Sequence, residues 1–396
     1  MLYIPDFTYE NHLVYKIKEG DTLKKVAEQL EVDSYSLRSY HNMRCPLDDL
    51  IEADFKPHLK FLIIESEESK IARATHRENV NFANNFKLPF TPQGLNNNYL
   101  AMYTIENGEE QHTVKEEINV KFINKDKNDF SLIEINRISQ VYIDGKEADT
   151  MADELAEKTA KVFYPLQVVI DPKGELVSIY NYEDIRNRWQ KVKRKVLKDF
   201  QGEVLHEALL KFEDRLQNDE IIFDSLSKDW FLKVFFNSLN IEYTQNLTIQ
   251  QVIEFPISQK TGNVSFTAEQ IILPTLDAYN LINITQTGIL SDLRSKNDFE
   301  NNLLFPEDDS EENNAEKAEG SYTAYYFLDP NTNVLESVYL ECEIKLDVPQ
   351  KLTVVISNIE ENAKLNLSSN FSFLDEEIKE KKSSIFKLFL EVITGR

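Results

Sequence analysis

This chain is short of glycine, cysteine, histidine and cationic side chains, and each shortage closes off a class of function. Ten glycines in 396 residues, with no Gly-rich phosphate loop, leave a nucleotide cradle without its backbone. Two cysteines, Cys45 and Cys342, lie far apart and build no disulfide framework; two separate packed thiols are expected. Six histidines are scattered, none at a His-x-x-x-His spacing, so no metal site and no cofactor is expected. Lysine and arginine total 44 against 68 acidic residues, a net charge of −24. That balance repels nucleic-acid phosphates and anionic lipid, and favours solubility and basic partners. No apolar run approaches the length of about 18 residues that a membrane helix needs. Met1–Tyr15 lacks a basic stretch followed by an apolar one. Synthesis in the cytoplasm without a secretory signal is expected, with any export following a non-classical route.

What is present supports real cores: 41% of residues are hydrophobic and 11% aromatic, which disfavours general disorder. Residues 1–66 read as strand, helix, helix, strand. Val14–Ile17 alternates as a half-buried strand. Gly20-Asp21-Thr22 offers a turn and an N-cap oxygen. Leu23, Val26, Ala27 and Leu30 then make one helix face. A second helix is expected near Ser34–His41, and Phe61–Ile64 closes the unit. Residues 67–80 are polar and charged, and read as a linker.

The body, residues 81–360, reads as strands over 98–182, helices over 183–240 and strands again over 243–357. Asp144-Gly145 and Asp171-Pro172-Lys173-Gly174 mark tight turns. A helix is expected near Ser291–Leu304, followed by an acidic solvated loop over 306–319. A weak repeat links Val168–Ile179 to Tyr326–Val338, through duplication of a sheet or a shared hairpin preference. Residues 361–396 form a tail whose apolar stretch, Ile385–Ile393, suits a terminal helix packed on the body. The fold class is therefore α+β: a small βααβ unit, then a mainly antiparallel sheet body with a helical insertion.

Tyr15-Lys16-Ile17-Lys18-Glu19-Gly20-Asp21-Thr22-Leu23, with Val26-Ala27, Leu37 and Asn42 after it, resembles the LysM family in order and spacing. The resemblance covers about residues 12–66. It implies a βααβ fold that binds peptidoglycan, chitin or another N-acetylglucosamine-containing glycan without catalysis. Carried onto this sequence, the sugar-facing positions are Gly20, Asp21, Thr22 and Leu23 on the first loop and Ile51 on the second. The second loop, Met43–Pro57, is longer than the family's, and Pro57-His58 stands where the family has Pro-Gly. Modules of this family also dock within contractile injection, type VI secretion and phage-tail assemblies. An adaptor of such a machine, gripping a secretion-machine or cargo protein, is the alternative expectation, and the missing signal peptide favours it.

Other constellations are weaker. Glu109-Glu110 and Glu116-Glu117 invite a glycosidase reading, but in so acidic a chain solvated faces are expected. Arg186, Lys191, Arg194 and Lys198 belong to a basic helix in an acidic protein. They pair with the chain's own carboxylates or dock an acidic partner. No nucleophile, metal set or acid pair in the body points to an enzyme.

Overall fold

The computed structural model describes residues 9–66, 78–147, 151–199, 202–258, 262–306 and 316–359. Residues 67–77 of the linker expected over 67–80, most of the acidic loop and the tail over 361–396 lie outside these residues. The architecture is mixed helix and strand with an antiparallel sheet, as the α+β expectation has it.

The N-terminal unit runs β1 (Val14–Lys16), α1 (Leu23–Gln29), α2 (Ser34–Asn42) and β2 (Phe61–Ile63). β1 and β2 pair antiparallel, Val14 opposite Ile63. Gly20, at φ +84°, makes the turn that a side chain would strain. Thr22 caps α1 by accepting the Lys25 N–H, and Asp33 caps α2 by accepting the Ser36 N–H. Leu23, Val26, Ala27, Leu37, Ile51, Leu59 and Leu62 fill the small core between the two helices and the ribbon.

The body strands are β3 (Asn96–Asn107), β4 (Glu110–Lys125), β5 (Ser131–Arg137), β6 (Tyr142–Ile143), β7 (Lys146–Glu147), β8 (Leu166–Ile170), β9 (Leu176–Ile179), β10 (Thr248–Ser258), β11 (Gly262–Ile272), β12 (Ile282–Leu290), β13 (Glu319–Leu328), β14 (Leu335–Lys345) and β15 (Gln350–Asn358). They form one sheet in the order β10-β11-β12-β13-β14-β15-β3-β4-β5-β8-β9, with β6–β7 a side hairpin on β4. Two meanders are thus joined where β15 pairs with β3, Val354 opposite Tyr103. The first meander curls enough for β10 to come back toward β15. Asp144 and Gly145 both take positive φ, 51° and 75°, the geometry an Asp-Gly hairpin turn favours.

α3 (Met151–Ala160) lies between β7 and β8, and α4 (Tyr182–Asp199), α5 (Glu203–Leu216), α6 (Asp219–Ser227) and α7 (Trp230–Phe235) lie between the meanders. Ile185, Trp189 and Val196 form the buried stripe of α4. They join Phe212, Phe231, Leu232 and Phe235 against the inner face of the sheet, built from alternate residues such as Tyr99, Ala101 and Tyr103. The helix expected at Ser291–Leu304 is much shorter: α8 spans Lys296–Glu300. Arg294 explains the loss. Its guanidinium binds Asp292 and the carbonyls of Asn263 and Leu303, which holds the flanking chain in turns. The weak repeat is two hairpin turns of one chemistry. Asp171 Oδ1 accepts the Lys173 N–H and Asp329 Oδ1 the Asn331 N–H. Their settings differ, since β8–β9 ends the sheet while β13–β14 lies inside it.

Candidate functional site

The N-terminal unit lies on the outer face of the sheet, opposite the helices. Cys45, Leu47, Leu50 and Ile63 pack with Leu100, Met102, Tyr339, Val355 and Ile359. The Tyr35 ring stacks on Tyr325 with centroids 3.6 Å apart, and Tyr40 on Tyr279 at 4.4 Å. Arg38, 3% exposed, lies over the Tyr339 ring at 3.7 Å and donates to the Glu52 carbonyl at 2.7 Å. Burial lowers its pKa to about 10. Lys115 on β4 reaches Asp48 at 2.7 Å. α2 and the loop after it are therefore the face that meets the body.

That loop is held from within. The Asn42 side chain donates to the Ile51 carbonyl and accepts the Ile51 N–H, both at 2.9 Å. His41 is fully buried. Its Nδ1 accepts the Ile63 N–H at 3.0 Å and its Nε2 sits 3.2 Å from the Asp49 carbonyl. These partners assign the proton to Nε2. Desolvation holds His41 down at about 4, so the ring is neutral near neutral pH.

The first loop is also satisfied internally. Asp21 Oδ2 accepts the Tyr15 hydroxyl at 2.9 Å and the Lys18 N–H at 2.8 Å, and the latter bond leads in holding this carboxyl below its ordinary range. The Gly20 carbonyl accepts from Lys25 Nζ at 3.1 Å. The Leu23 N–H donates to Asp54 Oδ1 at 2.7 Å, which ties the first loop to the second. Of the five positions expected from the sequence to face a sugar, Gly20 is exposed and Asp21 and Thr22 are half-buried. Leu23 is 3% exposed and Ile51 0%, so both side chains serve the unit's core.

The basic helix divides into two groups. Arg186 is engaged by the carbonyls of Leu216 and Gln217 and by Glu183 and Asp219. It braces α4 against the α5–α6 junction. Lys191, Arg194 and Lys198 are exposed and make no ion pair among the described residues. The carboxylates that α4 does engage come from its own first turn, α5 and α6.

Glu116 and Glu117 correct the expectation of solvated faces, being 5% and 8% exposed. The cause is that β4 is covered on both sides. Glu116 points inward, accepting from Arg137 at 2.5 Å and from the Tyr103 hydroxyl at 3.1 Å. Glu117 points outward beside Leu100, and burial pushes it up to about 7. Asp229, pushed up to about 6 chiefly by burial, caps α7 by accepting the Leu232 N–H at 3.0 Å. Sequence reasoning missed this inner cluster, although an Asp before Trp230-Phe231 is an N-cap signal. Glu109 and Glu110, at the β3–β4 turn, are exposed as expected.

Both cysteines are free and buried. Among the described residues no group of His, Cys, Asp and Glu is placed to hold a metal ion, and no helix is long and apolar enough to cross a membrane. No family model and no curated protein matches this chain.

Proposed function

We propose that this protein is a non-catalytic adaptor: a βααβ docking unit fixed on a long antiparallel sheet, holding a protein partner within a larger assembly. The LysM-like sequence of residues 12–66 suggests a contractile injection, type VI secretion or phage-tail-like machine as the setting. The observation that carries the reading is the internal satisfaction of the unit's two loops. The first loop's Leu23 N–H is taken by Asp54. The second loop is bound to Asn42 and packed on the sheet. Amides already satisfied inside the fold gain little by meeting an acetamido group.

Glycan binding is the second reading, and it is favoured by the surface position of Gly20, Asp21 and Thr22. Co-sedimentation of the full chain with insoluble peptidoglycan separates the two. The adaptor reading expects no more retention than for an unrelated acidic protein. Saturable retention that soluble N-acetylglucosamine oligomers compete away would overturn it in favour of the glycan.

A further inference from the structure

β10 is the first strand of the sheet and pairs on one side only, with β11. The register fixes which of its backbone groups are left over. The Ile272 N–H donates to the Leu247 carbonyl, and the same register sets Gln251 opposite Ala268 and Ile253 opposite Phe266. Odd-numbered residues therefore bond to β11, and even-numbered ones turn their N–H and C=O to the free side. At the two ends these groups are used. Thr244 Oγ1 donates to the Thr248 carbonyl and Trp230 Nε1 to the Pro256 carbonyl, both at 2.8 Å. Between them, the outward N–H and C=O groups of Gln250, Val252 and Glu254 have no partner among the described residues.

A cavity of about 590 Å³ lies beside this edge, bounded by β10 and by the chain from Asn237 to Glu242. Lys233 of α7 lines it, half-buried, and its ammonium has no hydrogen bond or ion pair among the described residues. Burial pulls Lys233 below the ordinary lysine range, against the fields of Glu175 and Glu254. The other charges of the cavity, Lys87, Lys173, Glu175, Glu242 and Glu254, are exposed, so water screens them. An occupant that expelled this water would strand Lys233 unless it brought an acceptor. On the outer face of the strand Val252, 64% exposed, and Ile289, 70% exposed, flank Thr267 in one cross-strand row.

We propose that β10 takes up one further strand from a partner protein, an extended segment that seats a carboxylate on Lys233 and lays apolar side chains beside Val252. The inference rests on the adaptor reading and names the chemistry of the partner. Donors and acceptors that recur at every second residue of a strand are matched by another polypeptide backbone. Side chains of an added strand alternate between the two faces. Those turned inward meet Lys233, and those turned outward extend the row of Val252 and Ile289. A free edge with an exposed valine at its centre is one that folded proteins cover or pair.

The test is fluorescence anisotropy on the full chain at about 0.15 M salt. The probe is a labelled, end-blocked peptide, Ser-Ile-Thr-Val-Glu-Val-Thr-Ser, beside its counterpart with Gln in place of Glu. Expected is saturable binding of the first, with the second about tenfold weaker. Val252→Pro deletes an outward N–H only, which an edge strand tolerates, and should abolish binding while the chain stays folded. Lys233→Met keeps the packing of the stem and removes the charge. It should bind both peptides alike, at the affinity wild type shows for the Gln peptide, and this comparison decides alone if Val252→Pro unfolds. No binding by wild type, equal binding of the two peptides by wild type, or undiminished binding by folded Val252→Pro would each overturn the proposal. So would a wild-type dimer in sedimentation that Val252→Pro dissociates, which would make a second copy the occupant. Binding that appears only with Phe386→Asp and Leu388→Asp would make the chain's own tail the occupant and overturn it too. Failure here without retention on peptidoglycan leaves the adaptor reading standing; retention on peptidoglycan removes the adaptor reading itself.

Discussion

His41→Gln probes the clamp between α2, β2 and the second loop. Glutamine can accept from the Ile63 N–H and donate to the Asp49 carbonyl as the imidazole does, and it does not titrate. In the folded chain the His41 pKa is held at about 4 against an ordinary 6.5. The folded state therefore refuses a proton that the unfolded chain accepts. The stabilisation is complete above pH 6.5 and is lost as pH falls toward 4. Linkage makes that loss about 2 kcal/mol between about pH 7.5 and about pH 5. Glu117 and Asp229 act in the opposite direction, because burial raises both and the folded state then binds the extra proton. The wild-type profile alone mixes the three. Guanidinium unfolding of wild type and His41→Gln at both pH values isolates the histidine, since the other contributions cancel in the difference. The wild type's advantage over the variant should shrink by about 2 kcal/mol on acidification. A difference that stays constant within about 0.5 kcal/mol would mean that His41 takes up its proton in the folded protein, which a ring enclosed between Ile63 and Asp49 could not do.

Glu117→Gln should show the reverse sign. Its folded pKa is raised from 4.5 to about 7, so the variant's advantage over wild type should grow by about 2.5 kcal/mol from about pH 5 to about pH 8 in the same denaturation assay. Asp54→Ala removes the acceptor of the Leu23 N–H and should lower stability by about 1 kcal/mol, measured by thermal unfolding. Cys45 and Cys342 are buried and their thiols are pushed well up by desolvation. Neither should react with Ellman's reagent until the chain unfolds, so two thiols should appear together with the loss of tertiary signal.

Local periodicity made the two layers legible. Alternation identified strands such as Asn263–Ile272, and the spacing of Ile185, Trp189 and Val196 identified the α4 stripe. The sheet order was not legible, because the β15–β3 pairing joins segments more than two hundred residues apart, and no local pattern encodes such a partner. One available signal went unread. Tyr99-Leu100-Ala101-Met102-Tyr103 is apolar without alternation, and so is Val354-Val355-Ile356. In an antiparallel sheet, runs of that kind mean that both faces are covered. The helices cover one face; Leu100, Met102 and Val355 take the other to the N-terminal unit. In the site, the turn and capping roles of Gly20 and Thr22 followed from residue type. The burial of Ile51 did not, because it depends on where the long second loop is laid. Glu117 was hidden for the same reason: a carboxylate beside others looks solvated until the strand that carries it is known to be covered on both faces.

The central claim is that α2 and the following loop belong to the same folded piece as the sheet. Native-state hydrogen exchange tests it directly. The amides of Ser39–Met43 and Ile51 should exchange only through global opening, with the same free energy and denaturant dependence as those of β3 and β15. Exchange of the unit's amides through a separate, lower-energy opening that leaves β3 and β15 protected would show two independent bodies and contradict it.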